Sequence, residues 1–273
     1  MPEWLSITRG SAPLLLSIPH CGTELPAGVA QGLISPWIAR RDADWWVDQL
    51  YDFAGELDAT VVVTRISRTV IDVNRDPSGA SLYPGQATTE LCPTVTFDGE
   101  PLYLPGAEPD ARAIALRTEQ YFRPYHDTLR VELERLRARH AAVVLYDCHS
   151  IRSRIPRLFA GELPHFNIGT VDGTSCAVTL GTRVAAVCAA STYTSIVNGR
   201  FKGGYITRHH GRPAAGVHAL QMELACRGYL PEVPGPVHAD SWPPPYDPTY
   251  AAPLREVLRR VLESCLSFAR EQH

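Results

Sequence analysis

Three runs of aliphatic and β-branched residues constrain this chain more than any other feature: "PLLLSI" (13–18), "ATVVVTRI" (59–66) and "AAVVLYD" (141–147). Their apolar residues are consecutive. A strand with one wet face alternates apolar and polar side chains. A strand covered on both faces reads as a continuous apolar run, the habit of parallel sheets packed between helices. The intervening segments supply the cover. Residues 40–57 carry a wide apolar face at helical spacing (Trp45, Trp46, Leu50, Phe53, Leu57), and 174–190 repeats Ala, Val and Leu at helical intervals. Residues 110–140 are helical, with Pro124 expected to kink the helix or split it. The clearest helix is the last, where Leu254, Val257, Leu258, Val261, Leu262, Cys265 and Leu266 form one stripe. Short strands near 193–197 and 217–222 complete the alternation. The expected fold is α/β: a mixed, mostly parallel central sheet flanked by helices, in a single domain over 1–273. Two stretches, 76–109 and the proline-rich 231–248, show neither period and are expected to be lids, binding loops or surface wraps.

Composition narrows the function classes. A formal charge of −3 and a pI near 6.4 leave no basic face of the kind that grips a phosphate backbone, so nucleic acid is excluded as a partner. No apolar run reaches the roughly 20 residues that cross a bilayer. The N-terminal segment lacks the basic start and cleavage pattern of a secretory signal. The seven cysteines are scattered, odd in number and without a C-x-x-C spacing. They read as reduced packing residues of a cytoplasmic protein.

In open α/β sheets, ligands sit at the carboxyl ends of the strands, and here those ends carry chemistry. The first run delivers Ser17, Pro19, His20 and Gly22. The second leads to Arg65, Arg68, Asp72, Asn74 and Arg75. The third delivers Asp147, His149 and Ser150, with Ser150 expected to begin the turn away. Side chains alternate along a strand, so Asp147 and His149 share a face and Cys148 points the other way. That geometry disfavours a Cys148–His149 nucleophile pair. Either histidine alone would be read as a hydrogen-bonded residue at a strand end. Two of them on separate strand ends, with one carboxylate, form a donor set for zinc that leaves a position for water. The carboxylate candidates are Asp44, Asp48, Glu24 and Asp147. Asp44 is favoured, because from the start of the helix after the first strand it can turn back toward His20.

Two more features call for a ligand. "NGRFKGGYITRHHG" (198–211) concentrates Arg200, Lys202, Arg208, His209 and His210 among four glycines. The glycines let backbone approach a ligand closely, and the cations suit a small acidic one. Standing alone, the segment equally fits a solvated basic loop. Glu223 lies in apolar "VHALQMEL", where an unpaired acid is costly to bury. It is either paired to an arginine or a general base beside a metal site.

Taken in chain order, "SIPHCGTELP" (17–26), "RDADWWVDQLYDFA" (41–54), "ISRTVIDVNRDPSG" (66–79), "LYDCHS" (145–150), "NGRFKGGYITRHHG" and "HALQMEL" (218–224) resemble the N-formylglutamate amidohydrolase (deformylase) family of histidine degradation. The resemblance covers most of the chain. It implies a fold like that of zinc carboxypeptidases and aspartoacylases, and hydrolysis of N-formyl-L-glutamate to formate and L-glutamate. It also implies zinc held by His20, His149 and an acid, with Glu223 as the base. Asn74 and Arg75 would bind a substrate carboxylate, Arg200, Tyr205 and Arg208 would make further substrate contacts, and Arg68 would help stabilise the oxyanion. The more distant relatives place a Glu three residues after the first zinc histidine, whereas Thr23 stands there in this chain. The third ligand therefore stays open among Asp44, Glu24, Asp48 and Asp147. This chain also has Trp46 where the family often has His, and His210 where it often has Tyr, positions that bear on acyl preference if they shape the pocket. A related zinc hydrolase for another N-acyl acidic amino acid is the alternative. A non-catalytic binder of acidic metabolites and a thiol amidase using Cys21 or Cys148 stand behind it.

Overall fold

The computed structural model describes residues 2–80, 85, 88–232 and 235–272. Its strands are β1 (Leu5–Thr8), β2 (Leu14–Ile18), β3 (Thr60–Thr64), β4 (Val143–Ile151), β5 (Phe166–Gly169), β6 (Ser195–Val197) and β7 (Val217–Ala225). They form one sheet in the order β1-β3-β2-β4-β7-β5-β6. The central block β3-β2-β4-β7 is parallel, and β1 and β5 join its two edges antiparallel. The expected mixed, mostly parallel sheet is therefore present. β2 and β4 are buried along their whole length, as continuous apolar runs require. β1 and β5 are short segments, LSIT and FNIG, too brief and too polar to stand out as strands in the sequence.

Alternate side chains feed two cores. Leu14, Leu16, Ile18, Val144, Tyr146 and Cys148 pack with helices α3 (Val47–Leu50), α6 (Val178–Ala189) and α8 (Pro248–Arg270) on one face. Leu15, Val62, Val143, Leu145 and Ala219 pack on the other face with α5 (Arg123–Arg137) and α7 (Tyr205–His210). Two small helices, α1 (Ala27–Ala30) and α2 (Pro36–Arg40), precede α3, and α4 (Ala111–Arg117) precedes α5.

Several helix expectations are corrected. Residues 40–57 are not one helix: α2 ends at Arg40, α3 covers Val47–Leu50, and a 3-10 turn follows over Asp52–Leu57. Two local facts break it. The Asp44 N–H bonds the His20 carbonyl at 3.0 Å instead of a helical partner, and Trp46 sits at φ 62, a left-handed conformation that costs a non-glycine residue about 1–2 kcal/mol. The helix at 110–140 is not split. A π turn over Thr118–Phe122 joins α4 to α5, and the wider turn precedes Pro124, whose ring would otherwise clash with the carbonyl four residues back. Residues 205–210, for which a solvated basic loop is one of two readings, form α7, which is too short to show periodicity. β4 runs on to Ile151, so Ser150 lies within the strand and does not start the turn.

Part of 231–248 proves to be a strap. Trp37 Nε1 donates to the Trp242 carbonyl at 2.9 Å, Trp46 Nε1 to the Pro244 carbonyl at 2.9 Å, and Trp242 Nε1 to the Arg41 carbonyl at 3.0 Å. These indoles tie it along α2 and α3. Residues 81–84, 86–87 and 233–234, parts of the two expected lid segments, lie outside the described residues. All seven cysteines are free thiols. No helix among the described residues is long and apolar enough to cross a membrane.

α8 carries much of the first core. It opens with Asp247 accepting from the Thr249 and Tyr250 N–H groups and Pro248 in the first turn, a strong N-terminal signal. Leu258 on its buried face is fully enclosed. Leu258→Ala is expected to cost about 2–5 kcal/mol, measured as a lower urea midpoint with an unchanged slope.

Candidate active site

The site is built from three chain segments at the carboxyl edge of the parallel block. His20 follows β2, His149 lies near the end of β4, and Asp44 occupies the helix break before α3. All three are buried, and one ligating atom from each lies within 4.8 Å of the others. The structure thus brings Asp44 to both histidines. Glu24 and Asp48 are exposed, and Asp147 sits behind His149, bonded to its far nitrogen.

Each histidine is held by a carboxylate on that far side. His20 Nε2 lies 2.8 Å from Asp72 Oδ1, and His149 Nε2 lies 2.9 Å from Asp147 Oδ2. A carboxylate only accepts, which favours a proton on each Nε2 and leaves each Nδ1 to face Asp44. His149 Nδ1 is 3.1 Å and His20 Nδ1 3.6 Å from Asp44 Oδ2. His20 Nδ1 is buried without a hydrogen-bond partner, an arrangement proteins rarely tolerate. Two Nδ1 atoms and a carboxylate, each imidazole oriented by an outer carboxylate, fit a divalent metal ion. Asp147 is itself fixed by Ser17 Oγ at 2.8 Å, and Tyr125 Oη lies 2.8 Å from the same hydroxyl.

The charges are mutually compensated. Burial would push the His149 imidazolium down, but Asp147 and Asp44 outweigh it and hold its pKa well above the ordinary histidine value. Burial would likewise raise Asp44, yet the hydrogen bond to His149 and the neighbouring His20 imidazole bring it below the usual carboxylate range. Asp72 is also held low, its burial outweighed by Arg75, His20 and Arg68.

Beside this cluster a cleft of about 560 Å³, counted to its open mouth, is lined by His20, His149, Glu223, Arg68, Arg75 and Arg200 together with Asn74 and Gln221. Phe97, Ile151, Leu158 and Phe201 make its apolar wall. β7 brings in Glu223 because it pairs with β4 in a register that sets His149 opposite Glu223. Burial raises the Glu223 pKa to about 7, with Asp44 adding to the rise, against opposing pulls from His149, Arg68 and a Gln221 hydrogen bond.

The sequence-derived residues divide by position. Arg68 donates to Asp44 Oδ1 at 3.3 Å and to Asp72 Oδ2 at 2.7 Å, under the Phe97 ring at 4.8 Å. Arg75 is steadied by the Thr89 carbonyl and hydroxyl at 3.1 and 3.0 Å, and Arg200 Nε donates to the Leu158 carbonyl at 3.0 Å. Asn74 accepts the Ile206 N–H at 2.8 Å, and its Nδ2 lies 3.0 Å from His149 Nε2 and 3.4 Å from Asp147 Oδ2. Tyr205 and Arg208 are not among the described residues that line the cleft. Tyr205 stacks on His209 at 4.8 Å, and Arg208 Nε donates to the Gly203 carbonyl at 3.0 Å. Trp46 and His210 do not line it either. His210 Nε2 lies 3.0 Å from His126 Nδ1, away from the cluster. Sequence reasoning gave no role to Gln221, which donates to Glu223 at 3.0 Å, or to Phe97. Position i−2 on the same strand as Glu223 was the available signal for Gln221. Asp72 was noted in its polar cluster, but its partnership with His20 was not.

The thiols are poorly suited to nucleophilic attack. Cys148 is fully buried on the opposite face of β4, and burial pushes its pKa well up. Burial, then Asp48 and Asp44, does the same to Cys21.

Two histidines and one carboxylate at the strand ends of an α/β sheet could hold a metal ion, and a buried glutamate stands alongside, a combination suited to a hydrolase site. The comparisons place the chain within that class. It belongs to the N-formylglutamate amidohydrolase family, whose model matches residues 12–230. It is 45% identical over 274 aligned positions to the N-formylglutamate deformylase of Pseudomonas putida, covering 100% of this chain and 99% of that one. Identity to the N-formylglutamate deformylase of Pseudomonas aeruginosa is also 45%, with 100% of both chains covered. Among solved structures, the N-formylglutamate amidohydrolase of Ralstonia eutropha JMP134 shares the fold, with a TM-score of 0.76 at 24% identity, covering 98% of this chain and 97% of that one.

Because Cys148 is fully enclosed in the core on the face of β4 opposite His149, Cys148→Ala is expected to lower stability by about 1 kcal/mol and to leave turnover within about threefold of the parent. A loss of about a hundredfold, the low end for removing a participating group, would restore the thiol to the chemistry.

Proposed function

We propose that this chain hydrolyses N-formyl-L-glutamate to formate and L-glutamate, as a zinc-dependent amidohydrolase of histidine degradation in the cytoplasm. The observation that carries the reading is the unpartnered, buried Nδ1 of His20, facing Asp44 and His149 beside Glu223. Likeness in name and sequence to the deformylases over the full chain supports the substrate. Seven free thiols fit a reducing compartment.

His20 Nδ1, His149 Nδ1 and the Asp44 carboxylate would hold the ion. When bound, it would polarise the formyl oxygen and make water at the site acid enough to lose a proton near neutrality. The protein's residues do the rest. Glu223, poised near neutrality, accepts the water proton and returns it to the amine of the departing glutamate. Arg68 is locked between Asp44 and Asp72, and offers fixed positive charge where the oxyanion develops. Arg75 and Arg200, both on the cleft wall, are the proposed clamps for the two substrate carboxylates, which guanidinium binds in fork geometry. Asn74 spends its amide oxygen on α7 and its NH₂ on His149 and Asp147, so its part is to shape the wall and hold that imidazole. Tyr205 and Arg208 would act on substrate binding through α7.

The first test is formate release by purified protein from N-formyl-L-glutamate, before and after chelation and zinc re-addition. Turnover is expected to vanish with the chelator and return with zinc, in step with metal content. Activity that survives full metal removal would sink the zinc reading. Activity confined to other N-acyl glutamates or aspartates would move the chain to a different acyl group.

Glu223→Gln is expected to keep its metal and lose about 10²–10⁴-fold in kcat, the range for a general acid–base. Near-normal kcat in a metal-replete variant would remove Glu223 as the base.

A further inference from the structure

We propose that Gln221 is a positioning residue for the reaction. Its side-chain amide holds the Glu223 carboxylate in place and at the same time anchors the start of α7. The proposal rests on Glu223 being the base.

Gln221 stands two residues before Glu223 on β7 and so shares its face. It is 3% exposed and lies opposite Asp147 of β4. Its Nε2 donates to Glu223 Oε2 at 3.0 Å, and its Oε1 accepts the Gly204 N–H at 2.8 Å. The orientation of the amide follows from chemistry. A backbone N–H can only donate, so the amide oxygen must face Gly204 and the NH₂ must face the carboxylate. Among the described residues, Gln221 supplies the one side-chain hydrogen bond to the Glu223 carboxylate.

The far end of the bridge is equally confined. A β-carbon on Gly204 would lie 2.3 Å from the Asn74 amide, so backbone approaches that side chain as closely as glycine allows. Asn74 Oδ1 takes the Ile206 N–H at 2.8 Å. Two amides thus clamp the first turn of α7. The NH₂ of one faces Asp147, which holds His149, and the NH₂ of the other faces Glu223. Arg200 precedes Gly204 by four residues and lines the cleft. The segment that presents a substrate cation is therefore tied, through one glutamine, to the rotamer of the base.

Gln221→Glu separates this role from packing. A carboxylate oxygen still accepts the Gly204 N–H and the side-chain volume is kept, but the donor to Glu223 is replaced by a second acid. In zinc-loaded protein at neutral pH, kcat for formate release is expected to fall about 30-fold or more, within the span of general-base effects. KM should move by less than about threefold and zinc content should stay close to the parent, while the added buried acid lowers the melting temperature. A folded, zinc-replete Gln221→Glu with parental kcat overturns the proposal, and so does a kcat loss that merely tracks zinc loss. If that variant does not fold, Gln221→Met takes its place. It removes both hydrogen bonds, and both lower kcat and higher KM are expected. Parental kcat there overturns the proposal as well. Glu223→Gln is measured in parallel. An inactive Glu223→Gln beside a fully active Gln221→Glu defeats the Gln221 role alone. An active Glu223→Gln removes the base, and this proposal with it.

Discussion

Parallel pairing of β4 with β7 sets His149 beside Glu223 and Asp147 beside Gln221. A one-residue slip would oppose side chains that belong to opposite faces. The packing forbids it. Val143 and Leu145 are buried in one core, and Val144, Tyr146 and Cys148 in the other. A strand covered on both sides has no spare face to expose, so the cores hold the register and the register holds the site. The β2–β4 pairing extends the arrangement by placing Ser17 beside Asp147.

Burial on this scale makes charge expensive. Asp44, Asp72, Asp147 and Glu223 are all removed from water, and an isolated carboxylate in such surroundings would take up a proton instead. Each has a donor. Arg68 serves Asp44 and Asp72, the imidazoles serve Asp72, Asp147 and Asp44, and Gln221 serves Glu223. Glu223 has the least charged partner of the four, and its pKa rises to about 7. The same low dielectric that stabilises the acids as anions beside cations leaves this one ready to exchange protons. His20 Nδ1 remains without a hydrogen-bond partner, and a cation between the two imidazoles and Asp44 would satisfy it.

Asp44 reaches the histidines because the helical pattern around it fails. Its N–H is taken by the His20 carbonyl, and Trp46 adopts a left-handed conformation two residues later. Such a conformation persists only when its surroundings demand it. Here the Trp46 indole is fastened to the Pro244 carbonyl, and neighbouring Trp37 and Trp242 are fastened in the same belt. The proline-rich segment, remote from the cleft in sequence, thereby supports the turn that carries a proposed metal ligand.

Much of this was legible in order along the chain. Apolar runs marked β2, β3 and β4, helical patterning marked α5, α6 and α8, polar residues at strand ends marked His20 and His149, and an acid within an apolar run marked Glu223. These signals are local, since they depend on the period of one element and on the cost of burying what does not belong there. Other choices depended on distance in space. Asp44 is favoured in the sequence over Glu24, Asp48 and Asp147 as a residue at a helix start, but it is the break before α3 that brings it to both Nδ1 atoms. Asp72 and Gln221 carry no motif that would announce their partners. The break in helix 40–57 and the π turn ahead of Pro124 were likewise hidden, because helical periodicity persists in side chains after the backbone has left the helix. Sequence pattern states which face a residue prefers, whereas hydrogen bonds between strands and helices far apart in the chain decide which carboxylate, and which amide, meets which histidine.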